Sequence, residues 1–170
     1  MSFLGFITLE ATLKGTAITR SSTKVPINTD ALPTYRIYGP NGLMTSGTGT
    51  ASFRDTGSVA TTGNTTPIQI NTSAAHGLTT GTRVTTSGTG VSAANGSFVI
   101  TLVDTDTFSL DGTTAGGAGS GGTWNTAGLY LISHAITSAN GYEAGTTYTI
   151  LVSYAISSTS GGDTYTFIAA

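Results

Sequence analysis

The tripeptide Asp55-Thr56-Gly57 is the first pattern in this sequence that could do chemistry, because aspartic proteases carry their catalytic aspartates in such a segment. That chemistry needs two aspartates that share one proton, each placed by apolar residues just before it. Here Arg54 directly precedes Asp55, and the chain has no second Asp-Ser/Thr-Gly, although a homodimer of the retroviral type would supply one. We therefore predict that Asp55 forms a turn.

The glycine-rich segment Gly117–Gly122 satisfies the pattern G-x-G-x-x-G of dinucleotide-binding sites. Such a site needs a strand before the glycines and a helix after them, whose N-terminus holds the pyrophosphate. The residues that follow, Thr123-Trp124-Asn125, carry no helix signal. We predict a glycine-rich loop and no cofactor.

Three aspartates, Asp104, Asp106 and Asp111, lie close together and could attract a hard cation. The spacing fails as a calcium loop because Phe108 would take a ligand position and no acid stands at the twelfth. The pattern favours a hairpin turn with solvated carboxylates, and we predict no metal site.

The two histidines, His76 and His134, lie far apart in the sequence. No G-x-S-x-G segment offers a serine nucleophile. His134 alternates with apolar residues and is expected to pack or to face an interface, whereas His76 is expected to support a turn before Gly77. Trp124, the only tryptophan, is expected to pack where an inserted segment returns, with a partner for its indole N–H. We predict no catalytic residue and no enzyme.

The elements that position these residues must be β-strands. Thr, Ser and Gly supply 78 of the 170 residues, only 8% are charged, and Glu, Lys and Gln together number five, so a helical protein is close to excluded. The chain has no Cys, which removes disulfides and thiolate chemistry. Six scattered basic residues give nucleic-acid binding no electrostatic basis. No apolar run of about 18 residues is present, so we expect no membrane span and no membrane partner.

Apolar and polar residues alternate along many short segments that are separated by turn residues, which is typical of antiparallel strands. Two of the segments, 129–136 and 148–156, are apolar on both faces and are expected to be central strands covered on each side. The segments are Ile7–Leu13, Tyr35–Ile37, Ile68–Asn71, Arg83–Thr86, Ser97–Val103, Phe108–Leu110, Tyr130–Ile136, Tyr148–Ile156 and Tyr165–Ile168.

The spacing of these segments predicts an all-β protein: an immunoglobulin-like antiparallel β-sandwich with a small β-barrel or hairpin module inserted in one loop. Residues 1–61 and 125–170 would form the sandwich. Residues 62–124, which are rich in Thr and Gly and end in a glycine-rich run, would form the insert. Insertions at loop tips are tolerated because loop closure costs little more as a loop lengthens.

The inserted block resembles a known family. Its residues His76–Gly81, Ala94–Phe98, Val103–Gly112 and Ser120–Trp124 are similar, in order, to the small β module of phage virion proteins that is called ubiquitin-activating-enzyme FCCH-like. The outer residues Pro33–Pro40, Asp55–Gly57, Gly128–Tyr130 and Gly141–Tyr148 are similar to an immunoglobulin-like domain of phage and bacterial proteins of unknown function. The resemblance implies a structural protein of a tailed phage, with no ubiquitin chemistry.

The apolar residues Phe3, Leu4, Phe6 and Ile7 form a segment that is costly to leave free in water. We predict that this N-terminal arm packs on a neighbouring subunit or on the major capsid protein, in many copies or as a homo-oligomer. A head decoration or cement protein that stabilises the shell is the first function that this implies. A neck, tail or fibre-anchoring component and a carbohydrate- or cell-surface-binding module are alternatives, and the expected location is the virion, assembled in the host cytoplasm.

Overall fold

Fifteen β-strands make up nearly all of the regular structure of residues 2–170, the part of the chain that the computed structural model describes. Two single 3-10 turns, Ser92–Ala94 and Ser138–Asn140, complete it. The strands are β1 (Ser2–Ile7), β2 (Ala11–Ile18), β3 (Thr34–Gly39), β4 (Gly42–Thr50), β5 (Ser52–Phe53), β6 (Thr56–Thr62), β7 (Ile68–Thr72), β8 (Arg83–Ser87), β9 (Gly96–Leu102), β10 (Thr107–Leu110), β11 (Gly119–Ser120), β12 (Thr123–Thr126), β13 (Leu129–Ile136), β14 (Thr147–Ile156) and β15 (Thr159–Ala169). The prediction of an all-β fold is confirmed.

The chain divides into two compact units. The first contains residues 2–21, Thr29–Ser52 and Tyr130–Ala170. Its five-stranded sheet has the order β1-β15-β14-β3-β4, and a three-stranded sheet has the order β2-β13-β5. Large side chains on alternate positions of the strands fill its core, as in a β-sandwich. These buried residues are Leu13, Tyr35, Ile37, Tyr130, Ile132, Ile136, Tyr148, Ile150, Val152 and Phe167, and Tyr142 from the connection between β13 and β14 is buried with them.

The second unit contains Ser22–Asn28 and Phe53–Leu129. Six of its strands pair in the cyclic order β6-β12-β8-β9-β10-β7, and the pairing of β7 with β6 closes them into a small barrel. The short strand β11 pairs with β6 at Thr61 and Thr62. A closed barrel leaves no free sheet edge among these six strands, and its interior is filled by side chains. The interior residues are Val59, Ile68, Ile70, Leu78, Val84, Val91, Ala94, Ile100, Phe108, Leu110 and Trp124.

The units divide at other residues than the predicted 62 and 124. Nearly all of β6 lies before residue 62, and β12 extends past residue 124. The two strands pair with each other and complete the barrel. Ser22–Asn28, which the sequence places in the sandwich, also belongs to the barrel unit. The alternation shows where strands lie but does not show which strands pair, so it could not place these boundaries.

Three strand predictions need correction. Ile7–Leu13 is not one strand, because β1 ends at Ile7 and β2 begins at Ala11, with Glu10 between them at a left-handed φ of 66°. The sheet is not wholly antiparallel, because β1 pairs with β15 in parallel. Strands β13 and β14 are each central, as predicted, but they belong to different sheets.

Candidate interface and the predicted site residues

Strand β1 carries the four residues that the sequence predicts as an interface. It forms the edge of the five-stranded sheet, with β15 on one side only. Phe3 is 57% exposed and Phe6 is 70% exposed, and their rings make an edge-to-face contact with centroids 6.0 Å apart. The segment is thus an edge strand of this sheet, and its predicted contact with a neighbouring subunit or with the major capsid protein stays a prediction.

A bulge places both aromatic rings on one face of the sheet. Phe3 pairs with Thr166 and Phe6 pairs with Ile168, so three steps along β1 match two steps along β15. Without the extra residue, positions three apart would point to opposite faces. Gly5 accommodates the irregularity with a φ of 103°, a conformation that side chains rarely adopt.

The remaining residues of the predicted interface are less accessible. Leu4 and Ile7 are half-buried. Leu4 turns away from the two rings, and its Cδ1 lies 3.5 Å from the position that a Cβ on Gly15 of β2 would occupy. Leu4 therefore contributes to packing within the unit, and the candidate contact rests on the two phenylalanines.

The same face continues across the whole sheet. Phe3 pairs with Thr166, which pairs with Thr149; Thr149 pairs with Tyr38, which pairs with Leu43. Residues that are directly paired across neighbouring strands project on the same side of a sheet. Leu43 is 49% exposed and Tyr38 is half-buried. The sequence analysis missed both residues as surface groups. The only indication in the sequence that these two residues are exposed is that they flank the turn residues 39–42.

Leu151 of β14 also lies on this face and is 37% exposed. The prediction that β14 is covered on both sides is therefore wrong for its outer face. Arg36, which pairs with Leu151, is the only charged residue at the paired positions of this outer face in the described chain. We define the outer β1 face as Phe3, Phe6, Tyr38, Leu43 and Leu151.

The Asp55-Thr56-Gly57 segment begins strand β6, and each of its residues has a structural partner. Arg54 forms an ion pair with the Asp55 carboxylate at 2.6 Å, which raises the pKa of that guanidinium. The Thr56 hydroxyl donates to the Trp124 carbonyl at 2.8 Å. Gly57 lies directly opposite Trp124. The segment joins β6 to β12 of the barrel.

Trp124 lies in the core of the barrel unit and is 3% exposed. Trp124 is packed, as predicted, and the residues that it packs with are those of the barrel core. The predicted partner for its indole N–H is missing, since Nε1 is buried without a hydrogen bond among the described residues.

His76 packs beside Trp124 and edge-on against Phe108, with centroids 5.2 Å apart in the latter pair. Its Nδ1 accepts a hydrogen bond from the Leu78 N–H at 3.0 Å. The neutral ring therefore carries its proton on Nε2, which is also buried without a hydrogen bond among the described residues. His76 ties the turn at Gly77 to the aromatic core.

His134 lies between two tyrosines in the first unit. Its Nε2 is 2.9 Å from the Tyr142 hydroxyl, and its Nδ1 is 3.3 Å from the Tyr35 hydroxyl. The Tyr35 hydroxyl donates to the Ser133 carbonyl at 2.9 Å. Burial lowers the pKa of His134 and raises the pKa of both tyrosines. Its surroundings therefore favour the neutral ring.

The three aspartates do not form one cluster, because Asp104 and Asp106 lie in the turn between β9 and β10 and Asp111 follows β10 at its other end. The Asp104 carboxylate accepts a hydrogen bond from the Asp106 N–H at 3.0 Å, which lowers the pKa of Asp104. Asp111 accepts from the Thr101 hydroxyl at 2.9 Å. Among residues 2–170, no three acidic, histidine or cysteine side chains are grouped to hold a metal ion.

The glycine-rich segment Gly117–Gly122 packs closely against the barrel. It includes β11, and strand β12 follows it in place of a helix. A Cβ on Gly119 or Gly122 would collide with the carbonyl oxygens of Thr89 or Ser87. These glycines allow two backbone segments to approach each other.

Comparison with known proteins gives few matches. No family model matches the chain, and no curated protein matches it. Among solved structures, a phage phi92 endosialidase is 14% identical over 87% of this chain and 24% of that chain, with a TM-score of 0.33. The chain spans about a quarter of that protein, and the likeness is too low to support a shared fold or activity. In the described part of the chain, no helix is long and apolar enough to cross a membrane.

Proposed function

We propose that this chain is a structural protein of a bacteriophage particle, and that it docks on another virion protein through the outer β1 face. The observation that carries the proposal is the exposed aromatic pair Phe3 and Phe6 on an edge strand. The more specific form of the proposal is a head decoration protein that binds the major capsid protein and stabilises the shell. A neck, tail or fibre-anchoring component would use the same surface.

Three properties of the outer β1 face and its edge strand support docking. Two large aromatic rings stand in water, and fully burying one such ring is worth about 1.5–3 kcal/mol. The outer backbone groups of an edge strand can also pair with a strand of another chain. A face with one charged residue forms contacts that depend little on salt. That the protein belongs to a virion is inferred from the motifs within residues 76–124, which resemble the small β module of phage virion proteins.

The first experiment measures the copy number of this protein in purified virus particles, relative to the major capsid protein, by quantitative mass spectrometry. A ratio near one, or a simple fraction such as a third, is expected of a protein that covers the head. A few copies would place it in the neck or tail. Absence from the particle would contradict the structural proposal as a whole.

The second experiment tests the face itself by substitution, because removing β1 would strip a paired strand from the sheet. The double variant Phe3→Ser with Phe6→Ser is expected to lose co-sedimentation with particles that lack the native protein. Val103→Ser, a 47% exposed apolar residue of the barrel unit, is the matched control and should bind as wild type does. Equal binding by the double variant would exclude this face as the contact.

A further inference from the structure

A groove in the first unit lies between the turn that joins β3 to β4 and the segment that follows β13. Its main depression has a volume of about 250 Å³ and is lined on one side by Asn41 and Leu43 and on the other by Asn140 and Glu143. A second depression of about 360 Å³ adjoins it and shares Thr45, Asn140 and Gly141. The two form one continuous groove along the surface of the unit.

The second wall of this groove is held in place before any ligand arrives. The Glu10 carboxylate accepts hydrogen bonds from the Ser138 N–H at 3.0 Å and from its hydroxyl at 2.8 Å, which lowers the pKa of Glu10. The Thr137 hydroxyl accepts from the Asn140 N–H at 3.2 Å. The Ala169 N–H donates to the Thr146 carbonyl at 3.1 Å. A fixed wall lowers the entropy that is lost on binding.

The polar side chains at the groove have unused hydrogen-bonding capacity. The Glu143 carboxylate, the Asn41 carboxamide and the Thr146 hydroxyl make no hydrogen bond within the described chain. Tyr148 lines the same groove and is 2% exposed. Its hydroxyl accepts from the Glu143 N–H at 2.8 Å, and no acceptor for its own proton lies among residues 2–170. A buried donor is costly to leave unpaired.

The groove also offers an apolar surface. Leu43 is 49% exposed there, and Met44 and Pro40 lie next to it. No basic residue lines either depression, so an anion would face only the Glu143 carboxylate. One carboxylate is too few for a divalent cation, which takes several oxygen ligands. The main depression, at about 250 Å³, is just below the roughly 300–1,000 Å³ of pockets for drug-sized ligands, and the adjoining one, at about 360 Å³, is at the small end of that range.

We propose that this groove binds a short neutral saccharide, with one sugar ring in the main depression and a second in the adjoining one. A sugar ring presents hydroxyls that both donate and accept, which suits a carboxylate, carboxamides and hydroxyls together. Its C–H face suits Leu43 and Met44. The Tyr148 hydroxyl at the base of the groove donates to a ring or hydroxyl oxygen. The groove shares Leu43 with the outer β1 face, but Phe3 and Phe6, which carry the docking proposal, do not line it.

Saturation-transfer NMR on the intact protein tests this site. The probes are the neutral disaccharides maltose, cellobiose, lactose and chitobiose, each at up to about 10 mM, above the millimolar Kd of weak sites. Transfer to at least one of them is expected. Glu143→Gln and Asn41→Ala should each weaken binding about tenfold, because the first replaces a charged acceptor with a weaker neutral one and the second removes the carboxamide.

The matched control is Asp111→Asn, which neutralises an exposed carboxylate on the barrel unit and should leave saturation transfer unchanged. A thermal melt followed by circular dichroism confirms that each variant is folded. Absence of transfer to all four disaccharides would overturn the proposal. So would transfer that persists unchanged in both Glu143→Gln and Asn41→Ala, because the sugar would then bind elsewhere.

Discussion

At three positions glycine is needed because an aromatic ring on the neighbouring strand occupies the space of a side chain. Gly49 lies opposite Tyr35, Gly57 opposite Trp124, and Gly161 opposite Tyr154. In each pair a Cβ on the glycine would lie less than 3.0 Å from the ring. The ring covers the bare backbone, and the cross-strand pair stabilises the register of the sheet. The conformation of these glycines is ordinary; what the structure requires is the absence of a side chain.

The first prediction concerns Gly57→Ala. The added methyl would lie 2.8 Å from Trp124 Nε1, and the ring is enclosed by the barrel core. We expect a loss of about 1–3 kcal/mol in the free energy of unfolding, as for other overpacked cores. Urea unfolding followed by circular dichroism measures it.

Gly15→Ala is the control for this prediction. Gly15 is also buried in a strand, but its Cβ would lie 3.5 Å from Leu4 Cδ1, an ordinary contact. We expect no loss of stability there, and a slight gain from the reduced freedom of the unfolded chain. If Gly57→Ala were as stable as wild type, the tight packing of Trp124 on β6 would be refuted.

The second prediction concerns His134 and pH. Burial lowers the pKa of His134 in the folded state below the 6.5 of the unfolded chain. Between these two pKa values the unfolded state binds more protons, so stability falls as the pH drops through 6.5 and levels off below the folded pKa. Wild type should lose stability in urea titrations across this window.

His134→Gln is the comparison, because it keeps a polar side chain between Tyr35 and Tyr142 without titrating. Its stability should be flat across the same window. The lowered pKa of Glu10 acts in a separate range, below its ordinary value of 4.5, where the carboxylate takes up a proton. A slope near pH 6 in His134→Gln as steep as in wild type would show that another group causes it.

At the scale of the elements, the middle strand and the edge strand β1 of the five-stranded sheet differ in how much backbone pairing holds them. Strand β14 pairs with β15 over its whole length and with β3 on its other side. Strand β1 pairs on one side only, and its register is broken by a bulge. Backbone hydrogen bonds at an edge open at a lower free energy than those in a sheet interior.

Hydrogen exchange tests this ranking. We expect the amides of β14 to exchange most slowly in this sheet and those of β1 to be among the fastest. The measurement is hydrogen exchange followed by NMR at low protein concentration, where copies of the chain do not pair. Protection of β1 equal to that of β14 would mean that β1 is not an edge in solution.

At the scale of the whole molecule, each unit has its own buried core. Ile100 and Ile150 are both fully buried, the first in the barrel and the second in the unit with the open sheets. Units with separate cores can unfold separately. The closed barrel has no free edge among its six strands, whereas the first unit has open sheets with free edges, one of them at β1.

Matched core substitutions test this division. Ile100→Ala and Ile150→Ala should each cost about 2–5 kcal/mol, because each leaves a cavity. Calorimetry should resolve two transitions, with Ile100→Ala lowering one and Ile150→Ala lowering the other. If either variant shifted both transitions by the same amount, the cores would unfold as one cooperative unit.

The sequence by itself determined the all-β class and most of the strands. Alternation with period two is a local property, so segments such as Ser97–Val103 and Phe108–Leu110 could be placed within a residue or two of β9 and β10. Low charge and the scarcity of Glu, Lys and Gln excluded helices for an equally local reason.

Only the tertiary structure decided which strands pair and which faces stay open. The parallel pairing of β1 with β15 joins segments near the two ends of the given sequence, and the barrel needs β6 and β12, which extend beyond the limits of the predicted insert. The groove at Glu143 is formed by residues about a hundred positions apart in the sequence. Pairing and burial depend on long-range contacts that no local pattern encodes, whereas strand formation depends on neighbouring residues.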